Sequence, residues 1–417
     1  MPIDFDKLPP EKPVPDRPPS RRVWTIVFFV IVLAGIFAVL LLWPKGESTQ
    51  SLWFRICITV YPVGIATFVV LRRYSVFEGR RLDAIAWNEA REKYLNRVFE
   101  EASHPLALVA AAYRFTSDAK EDAFEKLLDG SIKLEPRIAL KHDAPPVNAR
   151  WFDQPETDED GNRFNSDDER QRHVREWVFG ALISDVAGAI RALPSELNLA
   201  IQLVLPGVAN LDEALASWDK QWAKSDLQPL KAEVAHDPPD LMAFDAWLDR
   251  INQTRDQEAR LLVFVRLNPV LQALPPDGSA EAGVALLVVP EPMQRRFKID
   301  SIARLHRPND TDNCPSDVAL ARALRWGRME PSALSRIWQC ALDPAATNAV
   351  TAAAVKAGIA AKVANIDYMV GHAGEVAPWL GAACAAKAVA RDGTPQLLAT
   401  TGKTGVCFSV LRNGDPQ

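Results

Sequence analysis

Two runs near the start of the chain have no polar face. Val23 to Trp43, VWTIVFFVIVLAGIFAVLLLW, is 21 residues without a charge. A helix of that length spans the ~30 Å hydrocarbon core of a bilayer. A core helix of a globular domain would keep a polar stripe. A cleaved signal peptide would carry a shorter apolar run followed by small residues. Here Trp43, Pro44 and Lys45 follow, which is an interfacial pattern. Ser51 to Leu71 is a second apolar run. Arg55 lies near its start, where the side chain can snorkel outward. Its Pro62 and Gly64 are residues that membrane helices tolerate. The short connector from Pro44 to Gln50 makes residues 23–71 a transmembrane hairpin. Arg17, Arg21 and Arg22 precede it, and Arg72, Arg73, Arg80 and Arg81 follow. The positive-inside rule then predicts both termini on the cytoplasmic side.

Residues 1–22 form a tail with seven prolines in its first 19 positions. Such a segment is extended and poor in backbone donors, and it reads as a spacer, with a docking peptide as the alternative. Residues 72–103 read as a juxtamembrane helix, with Leu82, Ile85, Leu95, Val98 and Phe99 apolar.

From residue 104 the pattern alternates between short apolar runs and helical periodicity. PLALVAAAYRF (105–115) reads as a strand, and DAKEDAFEKLLDG as a helix with a capping box at Asp118 and Glu121 and a stop at Gly130. Helices are predicted over 173–193, LDEALASWDKQWA and DLMAFDAWLDRIN. Strands are predicted at LAIQLVLPG, LQPLKAEV, ARLLVFVRLN and AGVALLVVPE. A polar stretch, His306 to Asp317, closes this half. Beyond it, SALSRIWQCAL, AATNAVTAAAVKAGIA and APWLGAACAAKAVA read as helices, and NIDYMVG, PQLLATT and GVCFSVLRN as strands. The nearly pure Ala and Val run from Ala345 to Ala360 is expected between layers. The alternation predicts an α/β fold with covered sheet faces.

Charge and chemistry narrow the function. A net charge of −5 gives no reason to expect nucleic acid. The five cysteines form no CxxC pair and the six histidines no HExxH, so no metal site, cofactor or disulfide framework is predicted. In the acidic insertion 151–172, Glu156, Asp158, Asp160, Gly161 and Asp167 approach calcium-loop spacing. Glu in first place, Asp in last place and Pro155 favour a solvated turn. Lys403 in TTGKTG lacks the upstream glycine of a phosphate loop and reads as a tight turn.

Two motifs carry a resemblance. DGSAEAGVALLVVPE (Asp277 to Glu291) resembles the D-G-x-x-x-G-E-G-A-x-x-L-x-L-E segment of β-ketoacyl synthases, and IDYMVGHAG (Ile366 to Gly374) resembles their I-D-Y-x-x-x-H-G-T-G. The resemblance implies a thiolase-like layered fold over residues 104–413, in halves of about 104–305 and 317–413. It also implies catalysis by a cysteine at a helix N-terminus in the first half and by two histidines. No cysteine lies between Cys57 and Cys314, and no histidine follows His372. Ser184 and Ser217 sit inside predicted helices with no partnered base. Cys340, Cys384 and Cys407 read as small hydrophobes. His372 is therefore read as a remnant hydrogen-bonded inside the fold, and the chain as a pseudoenzyme.

Degenerate thiolase-like chains of this kind resemble accessory proteins of type VI secretion. That likeness implies a non-catalytic adaptor at the bacterial inner membrane, helping to load an effector. It also implies a protein partner, either that effector or a related thiolase-like subunit, in a homo- or heterodimer. The alternatives are a membrane-bound acyl-transfer enzyme and an immunity protein against a secreted toxin.

Overall fold

The computed structural model describes residues 9–44, 46–157, 161–235, 239–254, 258–312, 314–402 and 405–414. The chain forms two compact units, divided at residue 100.

The first unit contains α1 (Arg21–Leu42) and the greater part of α2 (Leu52–Ala102). Both are long and apolar enough to cross a membrane. None of the residues of α1 is buried, and Leu42, Phe37 and Leu33 present their side chains outward. At Gly35 the two helices touch: a Cβ there would lie 2.8 Å from the Cβ of Pro62. Small residues permit such close backbone approach. The juxtamembrane helix is the C-terminal part of α2, which runs unbroken from Leu52 through that region. No proline stands between Leu71 and Ala102 to end it. The proline-rich tail, which reads as a spacer or a docking peptide, makes hydrogen bonds with α2 from Pro9 to Pro19.

The second unit begins with β1 (Leu106–Arg114), α3 (Phe124–Asp129), β2 (Pro136–Arg137), β3 (Val147–Asn148), α4 (Asp167–Arg191) and β4 (Asn198–Val204). It continues with α5 (Leu211–Lys224), β5 (Ala232–Val234), α6 (Met242–Thr254), β6 (Glu258–Arg266), β7 (Ala282–Pro290) and α7 (Glu291–Phe297). Then come β8 (Ala303–Leu305), β9 (Asn309–Asp310), α8 (Ser316–Trp326), β10 (Arg336–Cys340), α9 (Pro344–Lys356) and β11 (Lys362–Asn365). The turn α10 (Ile366–Met369), α11 (Ala377–Asp392), β12 (Gln396–Thr401) and β13 (Val406–Arg412) complete it.

One hydrogen-bonded path joins both halves, in the order β11-β10-β12-β13-β8-β1-β7-β6-β4-β5. The short strand β8 links them, pairing with β13 on one side and β1 on the other. Strand alternation then sorts side chains into layers. In β7, Val284, Leu286 and Val288 face a central layer containing α6 and α11, while Ala285 and Leu287 face α4 and α5. In β12 and β13, Leu398, Cys407 and Leu411 face the central layer, and Leu397, Phe408 and Val410 face α8 and α9. A bulge between Leu108 and Ala110 shifts the parity of β1, so that Leu106, Leu108, Tyr113 and Phe115 all reach the central layer.

Several expected elements differ. SALSRIWQCAL contains the strand β10, whose Ile337, Trp338 and Cys340 are buried on both faces; that makes a strand look like a helix segment in sequence. NIDYMVG is strand only to Asn365, where the Asn side chain caps the turn α10. The helix after Asp118 starts only at Phe124. The alanine-rich α9 buries one face alone, with Val355 73% exposed, so it lies outside the layers. In the polar stretch that closes the first half, His306, Arg307 and Asn309 are buried.

Candidate functional site

The two motif segments meet. The backbone N–H of His372 donates to the carbonyl of Gly278 at 2.7 Å, and the N–H of Ala280 donates to the carbonyl of His372 at 3.0 Å. Ser279 and His372 thus form an isolated parallel bridge. The glycines beside His372 are required by this geometry. Gly371 has φ of +110°, and a Cβ there would lie 2.9 Å from the Ser279 carbonyl oxygen. Gly374 has φ of +55° and lies directly beneath the Arg266 guanidinium. Arg266 is itself paired with Glu375 at 2.5 Å.

The loop that carries the first motif is braced by buried charge. Glu281 is fully buried, and its carboxylate accepts from Arg170 at 2.9 and 2.8 Å, from the Asn268 N–H and from the Phe152 N–H. Asp167, one turn earlier on α4, accepts three backbone N–H groups from Val270, Leu271 and Gln272. Glu281 accepts four hydrogen bonds and Asp167 three, so these acids act as structural clamps. Asp167 is thereby turned inward and cannot close a calcium loop. Asp158 and Asp160 lie outside the described residues, as does Lys403. Among the described residues no cluster could hold a metal ion.

His372 departs from expectation. Its side chain is 54% exposed rather than buried, and its Nδ1 lies 3.7 Å from the carboxylate of Asp367. That carboxylate raises the imidazole pKa, partial burial opposing it. A cleft of about 450 Å³ lies beside this segment, lined by Glu121, Lys126, Lys133, Arg137 and Arg150. Arg150 joins the two: it donates to the Val370 carbonyl and pairs with Glu121.

Nucleophiles are placed elsewhere. Cys340, Cys384 and Cys407 are buried in the central layer. Burial pushes the Cys384 thiol up to about 12 and raises Cys340 and Cys407 as well, so they remain thiols at neutral pH. Ser184 is exposed on α4 and Ser217 buried on α5, both in the outer layer of the first half. Cys314 is half-buried against the α8 and α9 layer.

Sequence reasoning missed the clamps Asp167, Arg170 and Glu281, and the buried set of Arg307 with Asp245 and Asp249 at 2.6 and 2.8 Å. A charge standing at the entrance of a wholly apolar strand, as Glu281 does before β7, was the available signal for the first.

No protein-family model and no curated protein matches the chain. Solved structures do. The ketosynthase from module 6 of the bacillaene synthase of Bacillus subtilis 168 is 12% identical with a TM-score of 0.52, over 75% of this chain and 71% of that one. The ketosynthase from module 1 of the bacillaene synthase of Bacillus amyloliquefaciens FZB42 is 9% identical with a TM-score of 0.51, over 76% and 77%. An oxazolomycin ketosynthase domain of Streptomyces albus JA3453 is 14% identical with a TM-score of 0.51, over 75% of each chain. The fold is thiolase-like. At these identities the likeness concerns the fold, and the chemistry must be argued from the residues above.

Proposed function

We propose that the chain is a non-catalytic thiolase-like adaptor, anchored by its hairpin in the bacterial inner membrane, which holds a protein partner at the cytoplasmic face. The observation that carries this reading is the separation of groups. His372 is exposed on a braced loop, while the thiols of the second half are sealed in the core and held in the neutral form. A ketosynthase-type reaction needs a thiolate and a base within hydrogen-bond reach of one substrate. The exposed apolar surface of α1 and the arginines flanking both helices support the two-pass anchor with both termini cytoplasmic. A type VI secretion effector is the partner that the sequence resemblance suggests. A related thiolase-like subunit could instead pair with an open sheet edge at β11 or β5.

The second reading, an acyl-transfer enzyme, is favoured by one observation: the exposed His372 with its pKa raised by Asp367. Intact mass measurement after incubating the full chain with acyl thioesters separates the two. The adaptor reading expects an unchanged mass. A stoichiometric acyl adduct on any side chain establishes the enzyme.

A further inference from the structure

We propose that the face of α2 between Tyr74 and Arg91 is a recognition site for an extended proline-rich segment, and that its resident ligand is the chain's own tail, Pro9 to Pro19, held in cis. The contacts lie in the unit formed by residues up to 100 and outside both apolar runs, so the inference does not rest on the membrane reading.

Prolines leave carbonyl acceptors without backbone donors, and α2 supplies the donors. Arg91 Nε donates to the Pro9 carbonyl at 2.5 Å, Trp87 Nε1 to Pro10 at 3.2 Å, and the Tyr74 hydroxyl to Pro19 at 3.2 Å. Asn88 does more. Its Nδ2 donates to the Lys12 carbonyl at 2.9 Å, and its Oδ1 accepts the Lys12 N–H at 2.9 Å. The Lys12 ammonium sits 4.4 Å above the Trp87 ring, and Glu11 pairs with Arg91 at 3.0 Å.

Spacing makes this a site rather than a chance contact. Asp83, Trp87 and Arg91 recur every four residues along one helix face, and Asn88 lies three residues before Arg91 at the margin of that face. The seven steps from Lys12 to Pro19 span about 22 Å as a polyproline helix. The fourteen steps from Tyr74 to Asn88 span about 21 Å of α-helix. The two rises match, so both ends of the tail are satisfied in one register. A slip of one residue in one direction would place Pro13 opposite Asn88, and proline has no N–H to give; a slip in the other would move Glu11 from Arg91 to Asn88. The ion pair of Lys12 with Asp83 at 3.6 Å is exposed and contributes little. The amide pair and the Trp87 donor set the register. A tethered ligand acts at an effective concentration on the order of millimolar, so any competing proline-rich chain must first displace the tail.

Hydrogen exchange on the full chain in detergent micelles tests this. The Lys12 amide should exchange at least about 10-fold more slowly than in a free peptide of residues 1–20, as expected for a hydrogen-bonded amide that is protected until the clasp opens. Asn88→Ala should return it to the free-peptide rate while the amides of α2 stay protected, since alanine favours helix. A free-peptide rate for Lys12 in the unmutated chain, with α2 protected, overturns the site. Protection that disappears when single copies are isolated in nanodiscs overturns the cis assignment and points to exchange of tails between two copies.

Discussion

Helices α1 and α11 both have long uncharged stretches, yet α1 has no buried residue and α11 is largely buried. In α1 no residue is buried, and its surface is Leu, Ile, Val and Phe. In α11 all residues from Ala377 to Ala386 are buried, and seven of the sixteen positions are Ala, with Gly381 and Cys384 among the rest. The charges of α11, Lys387, Arg391 and Asp392, stand in its last six residues, so its first ten are as apolar as the body of α1. Side-chain size separates them. A helix that must sit between two sheet faces is built from small residues, because the layers touch it on every side. At Gly381 a Cβ would lie 2.7 Å from Cys340 Sγ and 2.7 Å from Leu398. In α1, none of whose residues is buried, no packed layer sets such a ceiling, and large apolar side chains suit the membrane span proposed for it.

The largest expected break of this comparison is a charge. Ala383→Asp in α11 buries a carboxylate without a partner and should cost more than about 4 kcal/mol, enough to unfold the second unit in a denaturant titration. Ala34→Asp in α1 should leave that unit folded and instead impair insertion by about 3 kcal/mol, read as loss from the membrane fraction. Where a buried charge is native, its removal is nearly as damaging. Glu281→Ala leaves Arg170 unpaired in the interior and should cost about 3–5 kcal/mol in the same titration.

Size gives the next effect. Ala382→Leu in α11 should cost about 1–3 kcal/mol through overpacking. Ala38→Leu in α1 should change the stability of the second unit by no more than about 0.5 kcal/mol.

Titration gives a smaller one, with two opposed signs. His306 is pushed down to about 3 by burial and by Arg412, so the unfolded state binds its proton first and stability falls as pH drops below about 6.5. Asp122 is raised to about 7 by burial, so the folded state holds its proton longer and stability falls as pH rises from about 4 to 7. Between pH 4.5 and 6 the two slopes, each about 1 kcal/mol per pH unit, offset one another. Asp122→Asn should expose an acid-side loss in urea titrations at pH 5 and 6. A flat profile in that variant would refute the assignment to His306.

The alternation of elements was legible because each strand and helix shows its own period. β6, β7, α5 and α11 stand where the pattern puts them. β10 was not legible, since a strand covered on both faces loses its alternation. β8 is three residues long and is made a strand only by β1 and β13 on either side. The buried His306 and Arg307 defied composition, because their partners, Arg412, Asp245 and Asp249, are distant in sequence. At the site, the resemblance brought the right segments together, and the glycines flanking His372 follow from that contact. Nothing local showed that the imidazole would face solvent, because its exposure depends on the loop braced by Glu281 and Asp167.

The account turns on His372 having no chemical task. The most direct measurement is complementation of a deletion strain by the full chain carrying His372→Ala, with protein abundance measured alongside. The side chain is more than half exposed and is not within hydrogen-bond distance of Asp367, so the variant should be as abundant as the parent and fully restore the phenotype. Normal abundance with the phenotype unrestored would contradict the account and make the imidazole a working group.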